Sequence, residues 1–205
     1  MSQIALPLAP GMGAGPSRIV VGNANEAVLD AFARAVAWPF RTAILFGPPR
    51  SGKSLLARWF AERGTGEAVD DAERADENEL FHRWNRAQES GRPLLLVSNV
   101  SEGAWKIALP DLASRLGAAL RLEIGAPDDA MLADLIALHA EARGLVLDES
   151  AAAYLVPRCE RSHMGVERLV AAIDRLGLER KQAPTMAIWR DALEEAGADS
   201  PPRLR

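Results

Sequence analysis

The chain has 205 residues, 48% hydrophobic and 25% charged, enough for one buried core or one core with a smaller satellite. A net charge of −4 argues against non-specific nucleic-acid binding, which draws on a basic face, and only Lys53, Lys106 and Lys181 are lysines. The lone Cys159 excludes an internal disulfide and fits a reducing cytoplasm; the start lacks the basic region of a secretion signal, and no apolar run approaches the ~18 residues of a membrane span.

Residues 1–18 hold three Pro and three Gly, show no periodicity and read as a flexible tail. Within it, QIALPL (3–8) gathers a glutamine and four apolar side chains in a segment too short for an element. From Asn23, the spacing of Val28, Leu29, Phe32, Ala33 and Val36 predicts a helix, with Asn23 or Asn25 as N-cap. TAILFG (42–47) is a short apolar run ending in glycine, hence a buried parallel strand, and SGKSLLARWFAERG follows as a helix closed by Gly64. EAVDDAERA reads as a weak strand with acids at its end, and 77–91 as an amphipathic helix. PLLLVSN (93–99) is a second buried strand, DLASRLG a short helix, and ALRLEIG (119–125) alternates like a strand. A long helix is predicted over 127–144, from Pro127 to Gly144. Helices alone follow: one capped by Asp148, one carrying Val166, Leu169, Val170, Ile173 and Leu176, and TMAIWRDALEEAG. Strands alternating with helices, then helices alone, predict an α/β domain over 19–146 and a small helical domain over 147–205.

GPPRSGKS (47–54) fits G-x-x-x-x-G-K-[ST] between a strand and a helix, the context that gives this pattern meaning. Gly47, Pro48, Pro49, Arg50, Ser51 and Gly52 form a loop whose backbone N–H groups can wrap phosphates. The helix N-terminus adds partial positive charge, Lys53 reaches the outer phosphates, and Ser54 is placed to ligate Mg²⁺. Asp70 and Asp71 end the next candidate strand; a carboxylate there can hold Mg²⁺ through water, and its neighbour can orient an attacking water. They also belong to an acidic run with Glu67, Glu73, Asp76, Glu77 and Glu79, which without the P-loop reads as a solvated face; beside the P-loop the Mg²⁺ and water roles are favoured. Asn99 ends the strand 93–99, where parallel sheets face their ligands, and reads either as a γ-phosphate or water contact or as the start of a turn. Arg115 reads either as a solvated surface residue or as a finger completing a neighbour's site, an interaction that changes rates by roughly 10³–10⁵. His82, His139 and His163 are dispersed and show no metal-ligand spacing, and Trp38, Trp59, Trp84, Trp105 and Trp189 read as core or interface.

Taken together these motifs resemble the AAA+ ATPases of the bacterial replication-initiator group, DnaA-like, and within it the Hda-like regulators that inactivate DnaA. The resemblance spans about residues 3–196. RIVVGNANEAVLDAFARA (18–35) is similar to the segment that cradles adenine, which implies Val20, Val21 and Gly22 in that pocket. VDDAER stands in the place of Walker B and Asn99 in the place of sensor 1. LPDLASRL (109–116) matches the segment bearing the family's arginine finger, so the resemblance implies that the finger is Arg115. QIALPL is similar to the motif that grips the DNA polymerase sliding clamp (its beta subunit), with Gln3 at the pocket edge and Leu6, Pro7 and Leu8 at an apolar cleft.

Three departures accompany the resemblance. Only Gly64 to Ala68 separate the P-loop helix from VDD, so a trimmed sheet with the VDD strand at its edge is expected. The sensor 2 arginine falls at Glu167 with Arg168 beside it, which puts the lid's phosphate contact in question. The chain is expected to end after the lid, without the initiator's DNA-binding domain. The resemblance thus implies a protein that binds ADP or ATP with Mg²⁺, docks on the sliding clamp and lends Arg115 to DnaA, with weak turnover of its own. It implies no direct sequence-specific DNA contact and no membrane, and leaves self-association into a homo-oligomer open. Two other readings are a self-contained P-loop ATPase or small-molecule kinase, against which the helical last third argues, and a loader module, which requires a basic surface.

Overall fold

Two short strands come first in the computed structural model, which describes residues 3–5 and 18–198. Strand β1 (Gln3–Ala5) pairs antiparallel with β2 (Arg18–Val20), Ile4 lying opposite Ile19. The sequence pattern predicts no element at residues 3–5. Burial of Ile19 and Val20 anchors β2, and β1 takes up backbone groups on its edge that would otherwise need other partners. Leu6, Pro7 and Leu8 of the clamp-like motif lie outside the described residues.

The described residues form two compact units. One is Asn25–Gly125; the other holds the residues up to Ala24 and those from Ala126 onward.

Within the first unit, α1 (Glu26–Ala33) is shorter than the predicted helix, and the chain continues through single turns of 3-10 helix at Ala35–Ala37 and Pro39–Arg41. Asn25 holds the N-cap position without a side-chain cap bond. Then follow β3 (Thr42–Phe46), α2 (Lys53–Glu62), β4 (Glu67–Val69), α3 (Glu77–Ser90), β5 (Leu94–Val97), α4 (Pro110–Gly117) and β6 (Leu120–Glu123). The sheet order is β4-β5-β3-β6, every pairing parallel. Central β3 and β5 are buried at every position, which explains sequences that are apolar but for Thr42. The trimmed sheet is observed as expected, with the short, acid-flanked β4 at one edge. Ile44, Phe46, Leu94 and Leu96 share a cluster with Leu80 and Ala87 of α3 and Leu112 and Leu116 of α4. A second cluster stacks Phe32, Trp38 and Phe60, the Phe60 centroid lying 5.0 Å from Phe32 and 5.4 Å from Trp38. Gly66 precedes β4 where a Cβ would fall 2.2 Å from Pro93 O and 2.7 Å from the Phe60 ring, so no other residue fits.

The second unit is helical beside the β1–β2 pair: α5 (Asp129–Ala142), α6 (Glu149–Leu155), α7 (His163–Arg180) and α8 (Met186–Ala198). Asp128, Asp148 and Ser162 cap α5, α6 and α7 by accepting from Met131 N, Ala151 N and Gly165 N. The apolar stripe Val166, Leu169, Val170, Ile173 and Leu176 is buried, and α7 packs on α5 and α8. Helix α5, expected from sequence in the α/β domain, groups with these helices because its apolar residues meet α7 and β2. Among the described residues no helix is long and apolar enough to cross a membrane.

Candidate nucleotide site

The loop between β3 and α2 is built around two glycines. At Gly47 a Cβ would sit 3.0 Å from the Ile124 side chain, so the loop can leave β3 here only without one. Gly52, the N-cap of α2, has φ +87°, a left-handed conformation that glycine adopts without steric cost. Arg50 also has positive φ, +64°.

Lys53 is only 5% exposed, and its Nζ donates to the loop carbonyls of Gly47 at 2.9 Å and Pro48 at 3.0 Å. Burial pushes its ammonium below the ordinary lysine pKa, while the charges of Asp70, Glu73 and Asp71 pull it back up. Among the described residues Nζ is bonded to loop carbonyls and pairs with no carboxylate, which leaves its charge for an anion.

Two observations test whether a phosphate group fits. The Ser51 hydroxyl is buried in the loop without a hydrogen-bond partner, and a Cβ at Gly52 would meet nothing within 4 Å. An unsatisfied donor beside open space at a helix N-terminus matches what a phosphate would occupy and satisfy. Ser54 lies exposed in the first turn of α2, and Asp70 is exposed at the end of β4. Among the described residues no three His, Cys, Asp or Glu side chains converge on a metal position, so these side chains alone do not make a cation site.

Asp71 and Asn99 are brought together: the Asn99 side-chain amide donates to the Asp71 carboxylate. Asp71 has left-handed backbone, φ +49°, and its N–H donates to Asp70 Oδ1 at 3.1 Å. Asn99 N donates to Glu73 Oε2 at 3.2 Å. Glu77, at the start of α3, accepts from Ala108 N at 2.8 Å and Leu109 N at 2.6 Å, fixing the entry to α4. In sequence Glu73 and Glu77 belong to an acidic run; their partners lie 26 and 31 residues away, and nothing local marks them.

Arg115 lies half-buried on α4, folded back on its own subunit. Its guanidinium carbon is 4.1 Å from the Phe81 ring centroid and 4.4 Å from that of Trp84, and Nη1 donates to Asn85 Oδ1 at 2.6 Å. The side chain that the sequence leaves as either solvated or a finger is thus seated against α3. Positions 81, 84 and 85 share one face of α3 by their i, i+3, i+4 spacing, and two ring faces attract a cation that gives up water to reach them. That spacing in FHRWN is the available sequence signal for the seat.

The remaining expected contacts lie in the second unit. Val20 and Gly22 are buried and Val21 half-buried. A Cβ on Gly22 would meet Met131 at 3.1 Å, and Asn23, expected as a helix cap, bonds Ala126 O at 3.2 Å and Asp128 N at 3.0 Å, tying this segment to the start of α5. Arg168 is half-buried on α7, its Nη2 3.6 Å from Met164 Sδ.

No family model matches the chain. An uncharacterized protein of Haemophilus influenzae is 31% identical over 115 residues, which is 56% of this chain and 50% of that protein, so the chain spans about half the length of the relative it matches. Among solved structures, domain III of the Thermotoga maritima replication initiation protein DnaA superposes with a TM-score of 0.68 at 14% identity, covering 86% of this chain and 94% of that one. A single-residue variant of Thermotoga maritima RuvB gives 0.61 at 19% identity over 86% of this chain and 70% of its own. AMPPCP-bound DnaA from Aquifex aeolicus gives 0.60 at 17% identity over 80% and 66%. The chain shares the fold of these proteins: a parallel sheet flanked by helices.

Proposed function

We propose that the chain is a nucleotide-binding regulator of chromosome replication initiation, similar to Hda. Held on the DNA polymerase sliding clamp through Gln3, Leu6, Pro7 and Leu8, it presents Arg115 to ATP bound by DnaA and stimulates its hydrolysis in the cytoplasm. The observation that carries this reading is the seat of Arg115. Two rings and one hydrogen bond fix the guanidinium, yet the residue is not fully buried, and Asn85 takes only one of its five N–H donors among the described residues. A planar cation fixed beforehand, with donors unspent, stabilises charge growing on a transferred phosphoryl without reorganising.

The chain's own nucleotide, ADP or ATP, is assigned to the Gly47–Gly52 loop, the Ser51 hydroxyl and Lys53, with Mg²⁺ reached by Ser54 and Asp70. When bound, Mg²⁺ neutralises phosphate charge. By the family resemblance, Val20, Val21 and Gly22 take the adenine and Arg168 a phosphate. The Asp71–Asn99 pair is assigned to orienting water, which gives this site slow turnover of its own, secondary to the effect on DnaA.

Capture on immobilised sliding clamp tests the first half. Wild type is expected to bind and the Gln3→Ala, Leu6→Ala double variant to be lost; equal binding of the two removes the hook. Arg115→Ala is expected to stay on the clamp while losing stimulation of DnaA.

A further inference from the structure

The turn between α1 and β3 holds two consecutive non-glycine residues in left-handed backbone, Phe40 at φ +47° and Arg41 at φ +50°. A Cβ makes this region unfavourable, most of all for a bulky side chain. The conformation is over-determined: Phe40 O accepts from Gln88 Nε2 at 2.6 Å and from Thr42 Oγ1 at 2.8 Å, and Arg41 N donates to Trp38 O at 2.9 Å. Burial does not explain the strain, because the Phe40 side chain remains 55% exposed. Backbone held in sparse regions by its surroundings concentrates at functional sites.

The position of the exposed ring indicates its use. The Phe40 centroid lies 6.3 Å from that of Trp84, the same indole that stacks on Arg115. Val36, 71% exposed, belongs to the same connection, and Arg41 Nη1 reaches its carbonyl at 3.5 Å. Phe40, Trp84 and Arg115 form a continuous run of aromatic and cationic side chains, the residue types that dominate binding energy at protein interfaces.

Resting on the function proposed above, we infer that Phe40, with the exposed Val36 of the same connection, anchors the surface on which the triphosphate-bearing partner ATPase docks beside Arg115. The unspent donors of Arg115 need an anion delivered alongside them, and an exposed ring that shares Trp84 with Arg115 supplies the contact that delivers it.

Phe40→Gly tests this without endangering the fold, because glycine adopts the left-handed conformation freely and the lost ring is exposed. Phe40→Asn, which also tolerates that backbone, is the second variant. Both are expected to melt at or above the wild-type temperature and to bind the clamp as wild type does. Both should raise the concentration giving half-maximal stimulation of DnaA ATP hydrolysis by about tenfold, the loss of one interface anchor, with the plateau rate unchanged. Wild-type half-saturation in Phe40→Gly overturns the inference alone. Altered sedimentation of the Phe40→Gly chain by itself assigns the patch to self-association and also overturns it. Absence of stimulation by wild type removes the regulator reading, and this partner with it.

Discussion

Arg115 Nη1 donates a 2.6 Å hydrogen bond to Asn85 Oδ1, joining α4 to α3. The bond sets the rotation of the guanidinium plane, while Phe81 and Trp84 hold its faces. A lysine ammonium has no plane to stack and no fork to orient. Arg115→Lys is therefore expected to lower unfolding free energy by about 1–3 kcal/mol, from weakened ring contacts and a misplaced hydrogen bond. Chemical denaturation measures this, and an unchanged midpoint would remove the stacked seat.

Glu77 performs a parallel service at the other end of α4, where its carboxylate takes the N–H groups of Ala108 and Leu109. Glu77→Ala leaves two backbone donors without that acceptor, at about 1–3 kcal/mol for a buried one and less for an exposed one. Hydrogen exchange at Ala108 and Leu109 should accelerate strongly in the variant, with residues of α2 little affected. Uniform acceleration across the unit would show that Glu77 acts on global stability alone.

At the P-loop, Lys53 is buried and bonded to the carbonyls of Gly47 and Pro48. Lys53→Met keeps most of the volume and removes a poorly hydrated charge, but strands two carbonyls. The ligand-free melting temperature should therefore move little, while the rise produced in wild type by ADP with Mg²⁺ disappears. A preserved ADP shift would separate nucleotide binding from this loop.

The pKa of Lys53 gives the pH dependence a sign. Burial sets the folded value below 10.5. In the window between that lowered value and 10.5, the unfolded chain binds more protons than the folded one. Rising pH through this window relieves the burial cost and favours the folded state, and falling pH restores the cost. The same deprotonation strips the charge proposed to hold phosphate. ADP affinity should thus decline with pH before 10.5 is reached, and an affinity flat up to that pH would place the nucleotide away from Lys53.

The P-loop, the buried strands and the trimmed sheet were legible because each rests on local pattern: a glycine-lysine spacing at 47–53, uninterrupted apolar runs at 43–46 and 94–97, and too few residues before β4 for another strand. The helix cap at Asp148 is equally local. Contacts fixed only by the closed fold were not legible. The acids at 73 and 77 look identical in sequence to the exposed Glu79, yet they hold Asn99 and the entry to α4. Arg115 stands out in sequence, but its direction depends on α3 packing beside α4. The strained turn at Phe40 carries no glycine to mark it, and the pairing of Gln3–Ala5 with β2 lacks the alternation of a long strand.

The most direct measurement is the rate of ATP hydrolysis by DnaA with this chain and DNA-loaded sliding clamp, each omitted in turn. Stimulation is expected only when both are present, and Arg115→Ala should abolish it while remaining on the clamp. Undiminished stimulation by Arg115→Ala would contradict the account.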